Sequence, residues 1–183
     1  DKEIVKMAIA KNPLALVYAD ETLKKDKEIV LLAMVPYHGS VLKYAHDSLK
    51  KDKEIVRKAV TFDGNALKFA HESLKKDPEI VEIAIANTLS ALQFADSVFQ
   101  KDLKFIEKIK LNSRECLYPY IDKNLKKDRD IIKRCVTSFQ EYEILEEVIR
   151  NLPNDKEFIK ECIPLHVYFF QNLPDKLQKD PEL

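Results

Sequence analysis

This sequence has little glycine or cysteine, no long apolar run and no excess of one charge. Each of these shortages argues against a class of protein. Glycine occurs only twice in 183 residues, and no segment alternates apolar with polar residues, so a β-sheet protein is not expected. Lys and Arg together number 31, and so do Asp and Glu, which argues against a global attraction to nucleic acid or anionic membranes. No apolar run is long enough to span a bilayer, and the N-terminal residues do not form a signal-peptide pattern.

Cysteine is too scarce and too dispersed for a disulfide framework or a metal centre, because metal sites need ligands clustered at short spacing. The three cysteines are Cys116, Cys135 and Cys162. An odd number of separated thiols is typical of a reducing compartment, so we expect a cytoplasmic protein. Each cysteine stands where several other copies of the repeat described below carry alanine, and we interpret all three as small buried side chains. No cofactor, metal site or catalytic residue is expected.

What the sequence does contain is a repeat with a period of 25–27 residues. The motif Asp-x-Glu-Ile-Val and its degenerate copies begin at Asp1, Asp26, Asp52, Asp77, Asp102, Asp128 and Asp155, and a truncated copy begins at Asp180. A second signature, Ala-Leu-x-Tyr/Phe-Ala, follows at residues 15–19, 66–70 and 91–95. Such a short fixed period predicts a stacked array in which each unit buries its apolar face against its neighbours.

Each copy is predicted to fold as a pair of short helices. Asp26 stands where an N-cap precedes a helix. One face of that helix is apolar and carries Ile29, Val30, Ala33 and Met34. A second helix is predicted from Leu14 to Lys25 in the first copy. The expected fold is therefore all-α, an α-solenoid of about seven antiparallel helical hairpins that runs through residues 1–183 as one array. Because both ends interrupt the pattern, we interpret the chain as a fragment of a longer protein.

The motif resembles a family of tandem helical repeats that is catalogued as a domain of unknown function. Its elements are Asp-Lys-Glu-Ile-Val, Asn/Asp-Gly-x-Ala-Leu-x-Tyr/Phe-Ala and Leu-Lys-Lys-Asp, best seen at residues 52–56, 63–70 and 74–77. The match is specific through Asp102 and fades afterwards. Such repeats are familiar from intracellular bacteria, including secreted effectors, and from protists and large viruses. The resemblance implies a helical array in a bacterial or host cytosol and brings no catalytic residues with it.

Pairs of lysines near the end of the copies suggest a ladder that binds the phosphates of RNA or phosphoinositides. These pairs are Lys24-Lys25, Lys50-Lys51, Lys75-Lys76 and Lys126-Lys127. Two observations oppose this interpretation. The aromatic residues Tyr18, Tyr44, Phe69 and Phe94 fall in the predicted core rather than on the surface, and acids precede the second lysine at helical spacing, as in Glu21–Lys25, Asp47–Lys51 and Glu72–Lys76. Nucleic acid is therefore not the favoured partner.

Two histidines are candidates for a binding stripe. His46 and His71 occupy the same repeat position as Asp20 and Asp96, so the four side chains are predicted to follow one another along the array. One interpretation is a pH-sensitive or partner-binding ladder. The other is a solvated helix edge, which we favour because no nucleophile or oriented acid accompanies the histidines.

Apolar residues in excess of a helical core mark two further candidates. Leu31 and Leu32 belong to residues 29–37, a segment without a polar face, and Tyr168 and Phe169 belong to an unusually aromatic last copy. Neighbouring helices bury these side chains, or the side chains form an exposed patch that binds a partner. For the last copy, packing on units absent from this sequence is a third interpretation.

A regular core without a convergent polar site predicts a non-enzymatic scaffold for a protein or peptide partner. Leu31, Leu32, His46, His71, Tyr168 and Phe169 are its candidate contact residues. One alternative is a regulatory or targeting arm of a larger enzyme, and another is RNA or phosphoinositide binding through the lysine ladder. The identity of the partner and the oligomeric state do not follow from the sequence.

Overall fold

The computed structural model describes residues 1–36, 38–110, 116–138, 142–152 and 155–183. The regular secondary structure of these residues is helical throughout, without a strand, and this confirms the all-α prediction. The chain divides into two compact units, residues 1–99 and 100–183. One continuous solenoid over residues 1–183 stays a prediction.

The helices are short, and most come from the Asp-x-Glu-Ile-Val part of a repeat. In the first unit they comprise α1 (Lys2–Lys11), α2 (Glu21–Lys24), α3 (Lys27–Ala33), α4 (Lys53–Phe62), α5 (Glu72–Lys75) and α6 (Pro78–Asn87). Between them lie 3₁₀ helices at Pro13–Tyr18, Gly39–Tyr44, Leu49–Lys51, Gly64–Phe69 and Leu89–Phe94. The division between the units falls in α7 (Ser97–Lys101).

The second unit contains α8 (Leu103–Lys108), α9 (Arg129–Ser138), α10 (Tyr142–Arg150), α11 (Lys156–Cys162) and α12 (Asp175–Gln178). Its 3₁₀ helices are Tyr118–Tyr120, Leu125–Lys127, Ile163–Leu165 and Phe170–Asn172. We number the repeats by their opening aspartates, so that the first repeat begins at Asp1, the fourth at Asp77 and the seventh at Asp155.

The repeated aspartate begins the first helix of each repeat, as the sequence predicts. In the third repeat, Asp52 Oδ1 accepts hydrogen bonds from the backbone N–H groups of Glu54 at 2.9 Å and Ile55 at 3.2 Å. Asp52 itself has an extended backbone, which is the usual N-cap conformation. Because these bonds join residues two and three apart, the short motif alone is sufficient to start the helix.

The second predicted helix, from Leu14 to Lys25, is not continuous, and this part of the prediction was wrong. A 3₁₀ helix ends at Tyr18, the backbone of Ala19 is extended, and α2 begins only at Glu21. The same interruption occurs at Ala45, Ala70 and Ala95. In the second to fourth repeats, the residue after the extended alanine donates its backbone N–H to a carbonyl of the preceding repeat. The hydrophobic periodicity within one repeat does not reveal this contact.

Small residues allow neighbouring repeats to approach closely. Ala33, Ala59 and Ala84 occupy one repeat position and are fully buried. A Cβ atom built on Gly64 would lie 2.2 Å from the carbonyl oxygen of Ala84, and one on Gly39 would lie 2.3 Å from that of Ala59. Only glycine leaves room for this approach between a 3₁₀ segment and the α-helix of the next repeat.

Two helices end early, and a basic side chain from the next repeat donates hydrogen bonds to carbonyls at their C-terminal ends. Helix α3 ends at Ala33, and Lys58 Nζ donates a 3.0 Å hydrogen bond to the carbonyl of Leu31. Helix α8 ends at Lys108, and the Arg134 guanidinium donates to the carbonyls of Ile106 at 3.0 Å and Ile109 at 2.6 Å. Cations stabilise helix C-termini in this way because the terminal carbonyls carry partial negative charge.

Aromatic side chains fill much of the core of the second unit. Tyr118, Phe158 and Phe169 are fully buried. The Tyr118 hydroxyl donates a 3.1 Å hydrogen bond to the carbonyl of Lys126, whose ammonium lies 4.9 Å from the centre of the same ring. Burial raises the pKa of Tyr118, so the phenol remains protonated and continues to donate this bond.

Candidate interaction surfaces

A row of ion pairs joins the first helices of consecutive repeats. Lys53 Nζ lies 2.7 Å from Asp77 Oδ2 and 2.8 Å from Glu79 Oε2 of the next repeat. Lys2 and Lys27 make the equivalent pairs at 2.6–2.9 Å, and in the second unit Lys156 pairs with Asp180 at 2.8 Å. The Asp-Lys-Glu motif therefore has a second function, because its lysine binds the acids of the following copy.

The aspartate of the motif makes contacts in two directions. Asp26 Oδ1 accepts from the N–H groups at the start of α3, and Asp26 Oδ2 accepts from Lys2 Nζ at 2.6 Å. The hydrogen bond from Lys2 holds the pKa of Asp26 below its usual value, and the same bond raises the pKa of Lys2 to about 12. Both groups are charged at neutral pH, but their exposure to solvent limits the strength of each pair.

A second row, of backbone hydrogen bonds, also joins consecutive repeats. The N–H groups of His46, His71 and Asp96 each donate at 3.0 Å to a carbonyl of the preceding repeat, those of Lys24, Lys50 and Lys75. In the second unit the N–H of Asp122 donates to the carbonyl of Gln100 at the same distance. The lysine and histidine positions are therefore joined by their backbones, which sequence reasoning missed.

The histidine stripe has a structural role. His71 Nδ1 accepts from the Ser73 N–H at 3.2 Å and contacts Ser73 Oγ at 2.9 Å, and His46 does the same with Ser48. Asp20 and Asp96 cap the equivalent helices with a carboxylate oxygen. Each member of the stripe thus accepts a hydrogen bond from the backbone N–H two residues later, and Asp20 and His71 are the N-caps of α2 and α5. The Ser or Thr found two residues after three of the four was the sequence signal that pointed to this role.

The lysine pairs divide into a bound and an exposed member. Lys24, Lys50 and Lys75 pair with acids three residues earlier, at 2.7–3.0 Å. The predicted pairs with the second lysine, four residues after the acid, were wrong because α2 and α5 end at the first lysine. The second lysines at positions 25, 51 and 76 are exposed.

The apolar candidates for contact residues also divide into buried and exposed side chains. Phe169 is fully buried in the second unit and is not part of a surface, so its place among the contact residues was wrong. Tyr168 is 45% exposed and Leu32 is 42% exposed, whereas Leu31 is half-buried. Leu32 and Tyr168 lie in different units, and Tyr168 stands beside the exposed Val167 with its ring centre 5.9 Å from that of His166.

A larger apolar surface lies on the first repeat, where the sequence did not mark one. Ile4 is 60% exposed and Met7 is 63% exposed, Ala8 is exposed beside them on α1, and Tyr18 is 92% exposed in the following 3₁₀ helix. We call these four residues the end face. The prediction that Tyr18 belongs to the core was wrong, and the other aromatic residues at its repeat position are half-buried.

The end face has the composition of a buried contact between repeats. At the position of Ile4 the next three repeats carry Ile29, Ile55 and Ile80, and at the position of Ala8 they carry Ala33, Ala59 and Ala84; all six are fully buried. At the position of Tyr18 the fourth repeat carries Phe94, and Lys68 of the preceding repeat lies 5.7 Å from its ring centre. The end face therefore exposes the side chains by which later repeats pack on the repeat before them.

The cysteines lie where small residues were predicted. Cys135 and Cys162 are fully buried, and Cys116 is half-buried. Burial raises the pKa of Cys162 to about 11, so this thiol is protonated at neutral pH. The prediction of small buried side chains is confirmed for Cys135 and Cys162 and only in part for Cys116.

Comparison with known protein families identifies the repeat. The family described as "Domain of unknown function (DUF4116)" matches in three overlapping segments, residues 1–34, 31–75 and 58–100. Together the segments include residues 1–100 of the 183, more than half of the chain. The chain belongs to this family.

The DUF4116 match confirms the resemblance seen in the motif, and it ends near Asp102, where the motif becomes degenerate. No curated protein and no solved structure matches the chain. Among the described residues, no helix combines the length and the apolar character that crossing a membrane requires.

Proposed function

We propose that this DUF4116 chain is a non-enzymatic scaffold for protein–protein interaction and that the end face is one of its binding surfaces. The observation that carries the proposal is the exposure of Ile4, Met7 and Tyr18 at positions with the chemistry of an interface between repeats. Burial of an aliphatic or aromatic side chain of this size contributes about 1.5–3 kcal/mol. Three such side chains provide enough apolar contact to begin a specific association.

The surface that fits the end face is that of a helical repeat of the same kind. Its apolar side would cover Ile4 and Tyr18, as happens at the equivalent positions of later repeats. A lysine at the position of Lys53 would reach Asp1 and Glu3, just as Lys53 reaches Asp77 and Glu79. Asp1 is exposed and forms no ion pair within the part of the chain that the structure describes. The Glu3 carboxylate lies 3.6 Å from Lys6 Nζ, a longer separation than in the pairs between repeats. Shape and charge thus favour the same class of partner.

The experiment compares three forms of the full chain as baits in nuclease-treated lysates, with captured proteins identified by mass spectrometry. The forms are the natural sequence, the double variant Ile4→Glu/Tyr18→Glu, and the control Val98→Glu, which changes an exposed valine elsewhere. Substitutions at exposed sites leave the fold stable, so all three baits are expected to fold. A captured protein is then purified, titrated against each bait and cross-linked to locate its contact segment.

The scaffold proposal expects a saturable partner that binds the natural and Val98→Glu baits equally and binds the double variant at least about tenfold more weakly. Cross-links are expected between α1 and a helical segment of that partner. A partner that binds the double variant with unchanged affinity contradicts the end-face assignment. Binding of the captured partner that falls steeply with salt would instead favour phosphate binding by the exposed lysines. A bait without any saturable partner would favour a regulatory arm that acts within a larger chain.

A further inference from the structure

Lysines and aromatic rings lie next to one another on the 3₁₀ helices of consecutive repeats in the first unit. Lys43 Nζ lies 5.6 Å from the centre of the Tyr44 ring in the second repeat. Lys68 Nζ of the third repeat lies 5.7 Å from the centre of the Phe94 ring in the fourth. Phe69 follows Lys68 at the repeat position of Tyr44. We call these five residues the lysine–aromatic row.

Both lysines of the row present their charge to solvent. Lys43 and Lys68 are exposed and form no ion pair within the described parts of the chain. Lys50 and Lys75 of the same two repeats, by contrast, pair with acids at 3.0 Å and 2.7 Å. The negative face of an aromatic ring attracts a cation placed over it. The two ammonium groups are therefore positioned before a partner arrives, which reduces the side-chain freedom lost on binding.

The row lies in a locally basic part of a chain whose net charge is zero. Residues 39–51 contain three lysines and one acid, and so do residues 64–76. The corresponding segments of the first and fourth repeats, residues 13–25 and 89–101, contain equal numbers of lysines and acids. The excess positive charge of these segments is thus confined to the second and third repeats, where it favours an anionic partner.

The spacing of the row matches one backbone conformation of such a partner. The His71 N–H donates to the carbonyl of Lys50 in the preceding repeat at 3.0 Å, so the two basic segments are neighbours. Helices packed side by side lie about 8–10 Å apart. A polyproline II helix has about three residues per turn and rises about 3.1 Å per residue, so side chains three positions apart share one face at a separation of about 9 Å. Acids at every third position would therefore meet the lysines of consecutive repeats.

The aromatic residues of the row suit the same conformation. Tyr44, Phe69 and Phe94 are half-buried, so each ring is held by the fold and keeps part of its surface in solvent. Proline-rich segments dock in grooves lined by aromatic rings, and their preformed polyproline II helix loses little entropy on binding. Proline residues between the acids would supply the apolar contacts that these rings leave open.

We propose that the lysine–aromatic row binds an acidic, proline-rich segment of another protein in the polyproline II conformation. The carboxylates of that segment pair with Lys43 and Lys68, and its prolines pack on the three rings. The row contains none of the residues of the end face, so this proposal does not depend on the function proposed for the end face.

The test is fluorescence anisotropy with a fluorescein-labelled peptide of five Glu-Pro-Pro triplets at physiological ionic strength. Three forms of the full chain are titrated: the natural sequence, Lys43→Gln/Lys68→Gln, and the control Lys11→Gln/Lys104→Gln. The control removes the same charge from two exposed lysines outside the row. A second labelled peptide of identical composition carries its five glutamates together at one end.

The triplet peptide is expected to bind the natural and control proteins saturably and with equal affinity, and to bind Lys43→Gln/Lys68→Gln at least about tenfold more weakly. The peptide with grouped glutamates should also bind the natural protein at least about tenfold more weakly. Lys43→Arg/Lys68→Arg should retain the binding, because arginine keeps both the charge and the contact with the ring. All four proteins should have the same circular dichroism spectrum, since the substitutions are at exposed sites.

Four results would overturn the proposal. The first is the absence of saturable binding up to millimolar peptide, and the second is equal affinity for the two peptides. The third is an equal affinity of the two glutamine variants, which would show that the row has no special part in the binding. The fourth is tighter binding of a single-stranded oligonucleotide of the same length, which would assign the surface to nucleic acid instead.

Discussion

Two isoleucines with the same local sequence allow the packing of the repeats to be measured directly. Ile4 and Ile55 both follow Asp-Lys-Glu and precede Val, and both lie in ten-residue helices, α1 and α4. Ile55 is fully buried, whereas Ile4 is 60% exposed. Replacement by alanine changes the helix propensity equally at both sites, so the difference between the two variants reports tertiary packing alone.

The expected losses of stability differ by more than the error of the measurement. Ile55→Ala removes three buried carbons, at about 0.8 kcal/mol for each CH₂ group, and leaves a cavity that adds a further cost. The total is about 2–5 kcal/mol. Ile4→Ala creates no enclosed cavity and removes a side chain that is mostly in water, so its cost is expected to stay below about 1 kcal/mol.

The measurement is urea unfolding of the full chain, followed by circular dichroism. The midpoint should fall markedly for Ile55→Ala and only slightly for Ile4→Ala, with the dependence on urea concentration unchanged in both. Losses that agree within about 0.5 kcal/mol would show that the two positions are packed alike, which would refute both the repeat alignment and the exposure of the end face.

Two further predictions test the contacts between repeats. Gly64→Ala should destabilise the chain by about 1–3 kcal/mol in urea unfolding, because the new Cβ atom would lie 2.2 Å from the carbonyl oxygen of Ala84; unchanged or greater stability would contradict this close approach. Lysine hydrogen bonds lower the pKa of Asp26 and Asp77 from 3.8, so their stabilising contribution is present above that value and is lost as the pH falls further through the lowered folded-state pKa. Lys53→Met removes the lysine beside Asp77, so it should weaken the loss of stability between about pH 5 and pH 2, and an unchanged acid profile would contradict the ion-pair assignment.

The local structure of each repeat was predictable because its signals lie within a few residues of one another. Asp52 caps α4 through N–H groups two and three positions away, and Asp26 does the same for α3. The repeated alanines were predicted to be buried, and in the second to fourth repeats they are. Helical class, repeat period and family therefore follow from short motifs.

The contacts that join repeats were not predictable in the same way. The N–H of His71 bonds to the carbonyl of Lys50, and this contact accompanies the extended alanine that interrupts the second predicted helix. A basic ladder at Lys50 and a titrating stripe at His71 were the less favoured interpretations, and in the structure Lys50 forms an ion pair and His71 caps a helix. The side-chain types suggested binding or titration at these positions, whereas the contacts in the folded chain give both residues structural roles.

The exposure of the candidate contact residues was also not predictable from the pattern within one repeat. Phe169 and Leu31 were selected for apolar character, and packing buries the first and half-buries the second. Tyr18 was assigned to the core by its helical phase, but no described part of the chain covers it and it is 92% exposed. Exposure depends on which other element occupies the neighbouring space, so a pattern within one repeat does not determine it.

By itself, the sequence determined the all-α class, the repeat boundaries and the N-caps of the first helices, because each depends on groups adjacent along the chain. Only the tertiary structure decided that the motif lysine binds the acids of the next repeat and that Ile4 and Tyr18 face solvent. These features join groups about one repeat apart, or depend on what lies beyond a repeat, so they arise only when the helices pack.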